Sequence, residues 1–212
     1  MTTKQLVARP LAIVFAFVTA FALLVLHPSA SATAGGFNRG ATQQWALANV
    51  NAPERFSGND CAWFISQALW AGGLPKTADW TDSSLDINKR ASKADVLGGP
   101  TKTAAQPDYL KNYLVDSGTA TIQELNWRQN DVPNAQIGDL IGYDWNGRPD
   151  GTLDHMMIVT GFSGQYPLVS GHTRATANQG WTWSQVKNDW IEHAYATSAG
   201  DAPRVYLLHI VK

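Results

Sequence analysis

The chain has 212 residues, of which 44% are hydrophobic and 16% are charged. This composition is typical of a globular protein and excludes a fibrous or an intrinsically disordered chain. The formal net charge is only -1, from 16 basic and 17 acidic residues, so the molecule as a whole has no field that would attract nucleic acid. We therefore expect a single domain with no nucleic-acid partner.

The first residues, 1–34, differ from the rest of the chain. Lys4 and Arg9 precede an uncharged apolar run at residues 11–26, and small residues follow it. This order is typical of a secretory signal peptide and its cleavage site. A membrane anchor is the alternative, but the run is shorter than the roughly 20 residues that span a bilayer. We therefore predict a secreted protein whose mature domain, 35–212, is not stably inserted in a membrane.

Two amphipathic patterns near the start of the mature domain predict helices. Residues 37–50 have apolar side chains at helical spacing, and Asn38 is a suitable N-cap. Residues 61–70 form a second apolar-periodic stretch, which ends at a Gly-Gly pair as helices often do. Cys61 therefore lies in the first turn of a helix.

The middle of the chain is less regular, and the last third has the pattern of strands. Residues 76–107 lack a clear period, and we expect their loops to shape a substrate site. The remaining predicted elements are a short helix at 109–115 and strands at 139–145, 156–160, 167–170 and 204–211. Helices followed by strands with short turns predict an α+β domain, in which the helices pack on one side of an antiparallel sheet.

Cys61 is the single cysteine of the chain. An exported protein with one cysteine cannot form an internal disulfide, and its free thiol is either a buried apolar group or a reactive one. The N-terminus of a helix favours the reactive role, because its dipole lowers the pKa of a thiol and its unpaired amides can bind an oxyanion. We predict that Cys61 is a nucleophile and that its own amide and Asn59 form the oxyanion hole.

A cysteine nucleophile needs a base, and His155 is our prediction because it precedes an apolar strand that would hold it rigidly. A solvated pair of Asp154 and His155 at a turn is the alternative. The next predicted strand carries Ser170 and His172 two residues apart, on one face. His172 is the first choice for the third catalytic group, because its ring nitrogen could accept a hydrogen bond from His155. Ser170 is the second choice.

The remaining histidines of the mature domain are His193, in a predicted helix, and His209, in the last strand. We interpret both as structural residues without a catalytic role. No metal or cofactor is predicted, because the cysteine and histidines lack a recognised ligand spacing such as Cys-x-x-Cys or His-Glu-x-x-His. Residues 144–150 have oxygen ligands at loop spacing, but they lack the closing Glu of a calcium loop. A plain hairpin turn is the preferred interpretation of that segment.

The chain has nine Trp residues, which are many for its length. Most of them are expected in the core. Trp80 and Trp181 are the candidates for a second role, because an exposed indole beside a cleft stacks on sugar rings or on peptide side chains. We predict that these two residues bind substrate.

Several segments of the mature domain resemble, in order, the family described as "Putative amidase domain", which is related to the CHAP and NlpC-type enzymes. They are residues 37–39, 59–75, 138–145, 154–161, 167–173 and 206–210. The segment around Cys61 is the most specific of them. The resemblance covers nearly the whole mature chain.

The resemblance implies a papain-like fold and a cysteine hydrolase that acts on amide bonds, with Cys61 as nucleophile, His155 as base and no cofactor. By analogy, a secreted enzyme of this kind would cleave the cross-linking peptide of bacterial peptidoglycan, and a monomer is expected. Two alternatives remain open at this point. One is a module that binds glycan or peptide without catalysis, and the other is a secreted effector that deamidates proteins.

Overall fold

The computed structural model describes residues 36–148, 150–196 and 202–212. The predicted signal peptide lies outside these residues. None of the helices in the described part is both long and apolar enough to cross a membrane. The helices are α1 (Arg39–Asn49), α2 (Cys61–Ala71), α3 (Lys102–Ala105), α4 (Pro107–Asp116) and α5 (Ile191–Ala194). The strands are β1 (Ala120–Leu125), β2 (Leu140–Asp144), β3 (His155–Ser163), β4 (Tyr166–Gly171), β5 (Thr176–Gly180), β6 (Trp183–Ser184), β7 (Asp189–Trp190) and β8 (Arg204–Ile210).

One antiparallel sheet organises the fold. Its strand order is β1-β8-β2-β3-β4-β5, while β6 and β7 form a separate hairpin. The last strand, β8, lies between β1 and β2 and pairs with both. The α+β class and the packing of helices on an antiparallel sheet are therefore confirmed, whereas the papain-like arrangement of catalytic groups stays a prediction.

The two predicted N-terminal helices are confirmed. The Asn38 side chain accepts a hydrogen bond from the amide of Ala41 at 2.9 Å and so caps α1. Helix α2 begins at Cys61 and is followed by Gly72. A Cβ at Gly72 would lie 1.9 Å from Oγ1 of Thr42, so only glycine permits the close approach of α1 to the end of α2.

Some elements differ from those predicted. Strand β1 was not predicted because four of its six residues are exposed and its alternation is lost. Strand β5, with the sequence TANQG, lacks the apolar residues that mark strands. Strand β3 begins one residue earlier than predicted, at His155, and continues to Ser163 because its second part, from Ile158 onward, pairs with β4.

The sheet separates two apolar clusters. Leu140, Met156 and Ile158 belong to the cluster that packs against α1, α2 and α4, and we call this side the helix face. Tyr143 and Met157 belong to the cluster on the other side, which includes residues of α5, and we call it the hairpin face. Alternate residues of each strand enter opposite clusters, as the period of two requires.

Asp139 connects α1 to the sheet. Its Oδ1 accepts hydrogen bonds from Nη1 of Arg39 at 2.7 Å and from the amide of Ile210 at 3.1 Å. Its Oδ2 accepts one from the amide of Gln136 at 2.8 Å and lies 2.8 Å from Nδ1 of His209. These four partners compensate the burial of the carboxylate. The structural interpretation of His209 is confirmed by this contact.

Candidate active site

Cys61 is the first residue of α2, and only 1% of its surface is exposed. Three backbone amides lie near its sulfur and lower the pKa of the thiol, those of Met156 on β3, of Ala62 and of Cys61 itself. Burial raises the pKa of the thiol to about 11, although each of these amides lowers it. The prediction of a lowered pKa is therefore wrong for this structure, because desolvation of the thiolate exceeds the stabilisation at the helix N-terminus.

His155 is the first residue of β3, and 5% of its surface is exposed. Its Nε2 is buried and has no hydrogen-bond partner among the described residues. Burial lowers the pKa of the imidazole to about 4. The alternative of a solvated histidine at a turn is wrong, since the ring is desolvated and uncharged at neutral pH.

The thiol of Cys61 lies near the start of β3, where His155 is located, but the two side chains do not form a hydrogen bond. The sulfur lies against the amide of Met156, the residue that follows His155. The ring of His155 instead faces the hairpin side of the sheet, where its centroid is 6.0 Å from that of Tyr143 on the paired strand. In this conformation both Cys61 and His155 are neutral at pH 7 and neither activates the other.

His172 does not accept a hydrogen bond from His155. Its Nδ1 lies 2.7 Å from Oδ2 of Asp60, and its Nε2 lies 3.1 Å from the carbonyl oxygen of Asn49. Its ring also packs on that of Phe64, with the centroids 4.4 Å apart. Both ring nitrogens are therefore engaged on the side of α1 and α2, and the predicted contact between the two histidines is a misassignment.

The partner of His172 was missed at the level of sequence, although it directly precedes the cysteine. Oδ1 of Asp60 accepts a hydrogen bond from the amide of Phe56 at 2.8 Å, and the amide of Asp60 donates to Oγ1 of Thr173 at 2.8 Å. The end of β4 thus holds the turn that leads into Cys61. His172 fixes the position of the thiol through Asp60 and does not contact the base.

A second carboxylate reinforces the same turn. Glu54 accepts hydrogen bonds from the amides of Gly58 and Thr173, each at 2.9 Å. The hydrogen bond from Gly58 is the main reason why the pKa of Glu54 is lowered. Thr173 and Arg174 have φ values of 61° and 76°, in the left-handed region that disfavours such residues. Their strained turn is held in place by the contacts with Glu54 and Asp60.

Ser170, the other candidate for the third group, is also engaged elsewhere. Its Oγ lies 2.6 Å from Oγ1 of Thr160 and accepts a hydrogen bond from the amide of Asn178 at 2.9 Å. These contacts join β3, β4 and β5 inside the sheet. Ser170 therefore does not orient His155 in this structure.

Asn59 is exposed, and its backbone amide donates to the carbonyl oxygen of Phe56 at 2.8 Å. That amide is thus already used and does not point to the sulfur. The amides of Cys61 and Ala62 lie near the sulfur. They are the backbone donors closest to where the carbonyl oxygen of a substrate attacked by Cys61 would become an oxyanion.

Trp80 and Trp181 are not exposed beside a cleft, so their predicted contact with substrate is wrong. Only 1% of Trp80 and 0% of Trp181 is accessible. Nε1 of Trp80 donates to Oγ of Ser66 at 2.9 Å, and Nε1 of Trp181 donates to the carbonyl oxygen of Asn130 at 2.7 Å. Both indoles are core side chains with satisfied polar atoms.

The loop that follows β2 uses its carboxylates to bind its own backbone. Oδ1 of Asp144 accepts hydrogen bonds from the amides of Asn146 and Gly147 at 3.2 and 3.0 Å. Oδ2 of Asp154 accepts one from the amide of Trp145 at 2.8 Å. Within residues 36–148, 150–196 and 202–212, no cluster of His, Cys, Asp and Glu is arranged to hold a metal ion. The contacts favour the hairpin-turn interpretation.

The reactivity of Cys61 provides a direct test of its environment. With a pKa of about 11, the alkylation rate by iodoacetamide is expected to rise about tenfold per pH unit between pH ~7 and ~10, because only the thiolate reacts. The rate is measured by mass spectrometry of the intact protein, with glutathione as the control thiol. A plateau below pH ~8 would contradict the neutral thiol and indicate a preformed thiolate-imidazolium pair.

Comparison with known proteins agrees with the resemblance seen in the motifs. The uncharacterized protein YjcM of Bacillus subtilis (strain 168) is 25% identical over 141 residues, which are 64% of this chain and 30% of that protein. This chain therefore matches less than a third of the relative's length. No solved structure matches the chain. A family model described as "Putative amidase domain" matches residues 37–195. Because that match covers well over half of the chain, the protein belongs to this family, whose description indicates hydrolysis of amide bonds.

Proposed function

We propose that the protein is a secreted cysteine amidohydrolase that cleaves peptide amides of the bacterial cell wall, with Cys61 as nucleophile and His155 as base. One observation carries the proposal. The amides of Cys61 and Ala62, at the start of α2, and that of Met156, on β3, lower the pKa of the single thiol and so lie near it. Met156 directly follows His155, whose buried Nε2 has no hydrogen-bond partner among the described residues. A buried polar atom without a partner destabilises the fold by about 1 to 3 kcal/mol, which favours a functional reason for its presence.

The chemistry begins when the imidazole of His155 takes the thiol proton while sulfur attacks the amide carbonyl carbon. The carbonyl electron pair moves to oxygen, and the resulting oxyanion accepts hydrogen bonds from backbone amides at the N-terminus of α2. The tetrahedral intermediate then breaks its C–N bond, and the imidazolium protonates the leaving amine. Water hydrolyses the thioester, releasing a carboxylic acid and returning the proton to Cys61.

These reaction steps require the His155 ring to move from the side of Tyr143 toward the sulfur of Cys61. Because alternate residues of β3 face opposite sides of the sheet, a change of rotamer alone does not bring the ring to the sulfur, and the backbone at the start of β3 must also move. The raised pKa of Cys61 and the lowered pKa of His155 disfavour a permanent ion pair in this conformation. Proton transfer therefore requires the two groups to come together, since each charged form would stabilise the other.

The surroundings of the thiol support a peptide substrate. The loop at residues 84–99 exposes Leu85, Val96 and Leu97, of which 80%, 78% and 92% is accessible. Asp95 of this loop pairs with Arg55, at 3.2 Å, in the segment that precedes Cys61. Exposed apolar side chains that are tied to a candidate active site are suited to contact an extended peptide.

A module that binds without catalysis is the second candidate, and the burial of Cys61 favours it. A thiol that is 1% exposed and protonated at neutral pH is also what an inert core cysteine would show. The two candidates differ in whether any turnover depends on the sulfur.

The deciding experiment compares the mature wild-type protein with Cys61→Ser on purified peptidoglycan. Released amines and fragments are identified by mass spectrometry. We expect the wild type to release new amines and the variant to be at least about 10³-fold slower, because serine lacks the acidity and nucleophilicity of a thiol. Tyr109→Ala, which changes an exposed side chain of α4, is the matched control and is expected to keep full activity.

Equal release by wild type and Cys61→Ser would contradict a cysteine mechanism. If neither protein releases amines, the protein-deamidation alternative is tested on intact bacterial and host proteins by the mass change of amide-to-acid conversion. Absence of both activities would favour the binding module.

A further inference from the structure

A cavity of about 400 Å³ opens on the hairpin face of the sheet. This volume is in the range of sites that hold small organic ligands. The cavity lies on the face opposite to α2, so it is separate from Cys61. Its lining residues are Asn130, Tyr166, Thr182, Trp190, Glu192 and His193.

An exposed and supported indole forms one wall. Trp190 is 41% exposed as a residue, and its ring makes an edge-to-face contact with Trp183 at a centroid distance of 5.1 Å. A Cβ at Gly180 would lie 2.9 Å from Cζ3 of Trp190 and 2.4 Å from Oη of Tyr166. The absence of a side chain at Gly180 therefore lets both aromatic rings approach the same strand. The indole is held in position although it is exposed.

Polar groups surround this indole. Oε2 of Glu192 is buried and has no hydrogen-bond partner among the described residues. Burial raises the pKa of Tyr166, and the carboxylate of Glu192 contributes to that shift, so the two groups are close to each other. Oη of Tyr166 lies 2.9 Å from Oγ1 of Thr182, which fixes the phenol at the floor. Glu192 as a residue is partly exposed and lines the cavity, so its carboxylate can accept a hydrogen bond from a ligand there.

The rim adds groups that can both donate and accept. Asn130 is exposed and has a side-chain amide with both functions, and its backbone carbonyl is already bound by the indole of Trp181. The side chain of His193 is 82% exposed, and its Nδ1 is paired with Asp189. An ammonium group only donates hydrogen bonds, so it would match Glu192 but not these donors.

We propose that this cavity binds a neutral saccharide ring, whose apolar face stacks on Trp190 and whose hydroxyl groups bond to Glu192 and Asn130. Hydroxyls donate and accept, and therefore match the mixed polar lining. The flat indole supplies the apolar contact that orients the ring. This binding site goes beyond the proposed hydrolase activity and does not depend on Cys61.

Isothermal titration of the mature protein with triacetylchitotriose and with maltotriose tests the site, with cadaverine as the cationic comparator. At least one trisaccharide is expected to bind with a Kd of about 1 mM or tighter. Trp190→Ala is expected to weaken that binding at least tenfold and Glu192→Gln about threefold, whereas Tyr109→Ala leaves it unchanged. Cys61→Ser is also expected to keep it, which separates this site from the hydrolase proposal.

The proposal is overturned if neither trisaccharide binds in a saturable way up to about 10 mM. It is equally overturned if Trp190→Ala and Glu192→Gln, shown to be folded by circular dichroism, bind as well as the wild type, since the ligand would then occupy another surface. Binding of cadaverine without either saccharide would assign the cavity to a cation.

Discussion

Acidification from pH 6.5 to about 4 is expected to destabilise the wild type about 3 kcal/mol more than a His155→Leu variant. Burial lowers the pKa of the imidazole in the folded chain to about 4, from its ordinary value of 6.5. Between these values the unfolded chain binds a proton that the folded chain does not. The free energy of unfolding therefore has its full value, as far as His155 is concerned, above pH 6.5, and it falls as the pH decreases to about 4. Leucine has no titratable group, so its variant lacks this contribution.

Urea unfolding at neutral pH and at pH about 4 measures the difference. His193→Leu is the matched control, because the His193 side chain is 82% exposed and its replacement is expected to change the acid response little. At neutral pH His155→Leu should be as stable as the wild type or more stable, since it removes a buried nitrogen for which the residues that the structure describes supply no partner. The same variant should lose amide hydrolysis. An acid response equal to that of the wild type would contradict the desolvated imidazole.

The second large effect is expected at the turn before the nucleophile. Asp60→Ala should lower the free energy of unfolding by about 2 to 5 kcal/mol, because it leaves the buried His172 ring and the amide of Phe56 without their acceptor. The side chains of His172 and Asp60 are only 4% and 1% exposed. Loss of this contact also frees the start of α2, so hydrolysis that depends on Cys61 should decrease.

The chain offers an exposed Asp–His pair as the control for Asp60. Asp189 contacts His193, whose side chain is 82% exposed, and Asp189→Ala should change the free energy of unfolding far less than Asp60→Ala does. Both variants are compared with the wild type by urea unfolding at neutral pH. Similar small effects for the two pairs would show that the buried contact does not hold the turn.

Local patterns in the sequence predicted much of the fold. The caps and apolar period around α1 and α2 depend on residues within a few positions of each other, and they identify Cys61 as the first residue of a helix. The apolar runs of β2, β3 and β8 are equally local. Strand β5 was not predicted, because its polar sequence forms a strand only by pairing with β4. The class of the domain followed from the order of these elements.

The environment of each candidate group could not be predicted in the same way. His172 contacts a residue that lies 112 positions earlier, and it was assigned to His155 only because the two histidines lie on neighbouring strands. Trp80 and Trp181 were selected by position in the chain, whereas the packing of the sheet buries both. The exposed indole beside a cavity is that of Trp190.

The sequence by itself determined the α+β class, the helix that begins at Cys61 and the segments that place the chain among the amidase domains. Only the tertiary structure decided that the thiol has a raised pKa, that Nε2 of His155 has no partner within the described part of the chain and that Asp60 binds His172. The physical reason is that helix and strand formation depends on neighbours in the chain, while desolvation and hydrogen bonding of a side chain depend on the distant segments that pack around it.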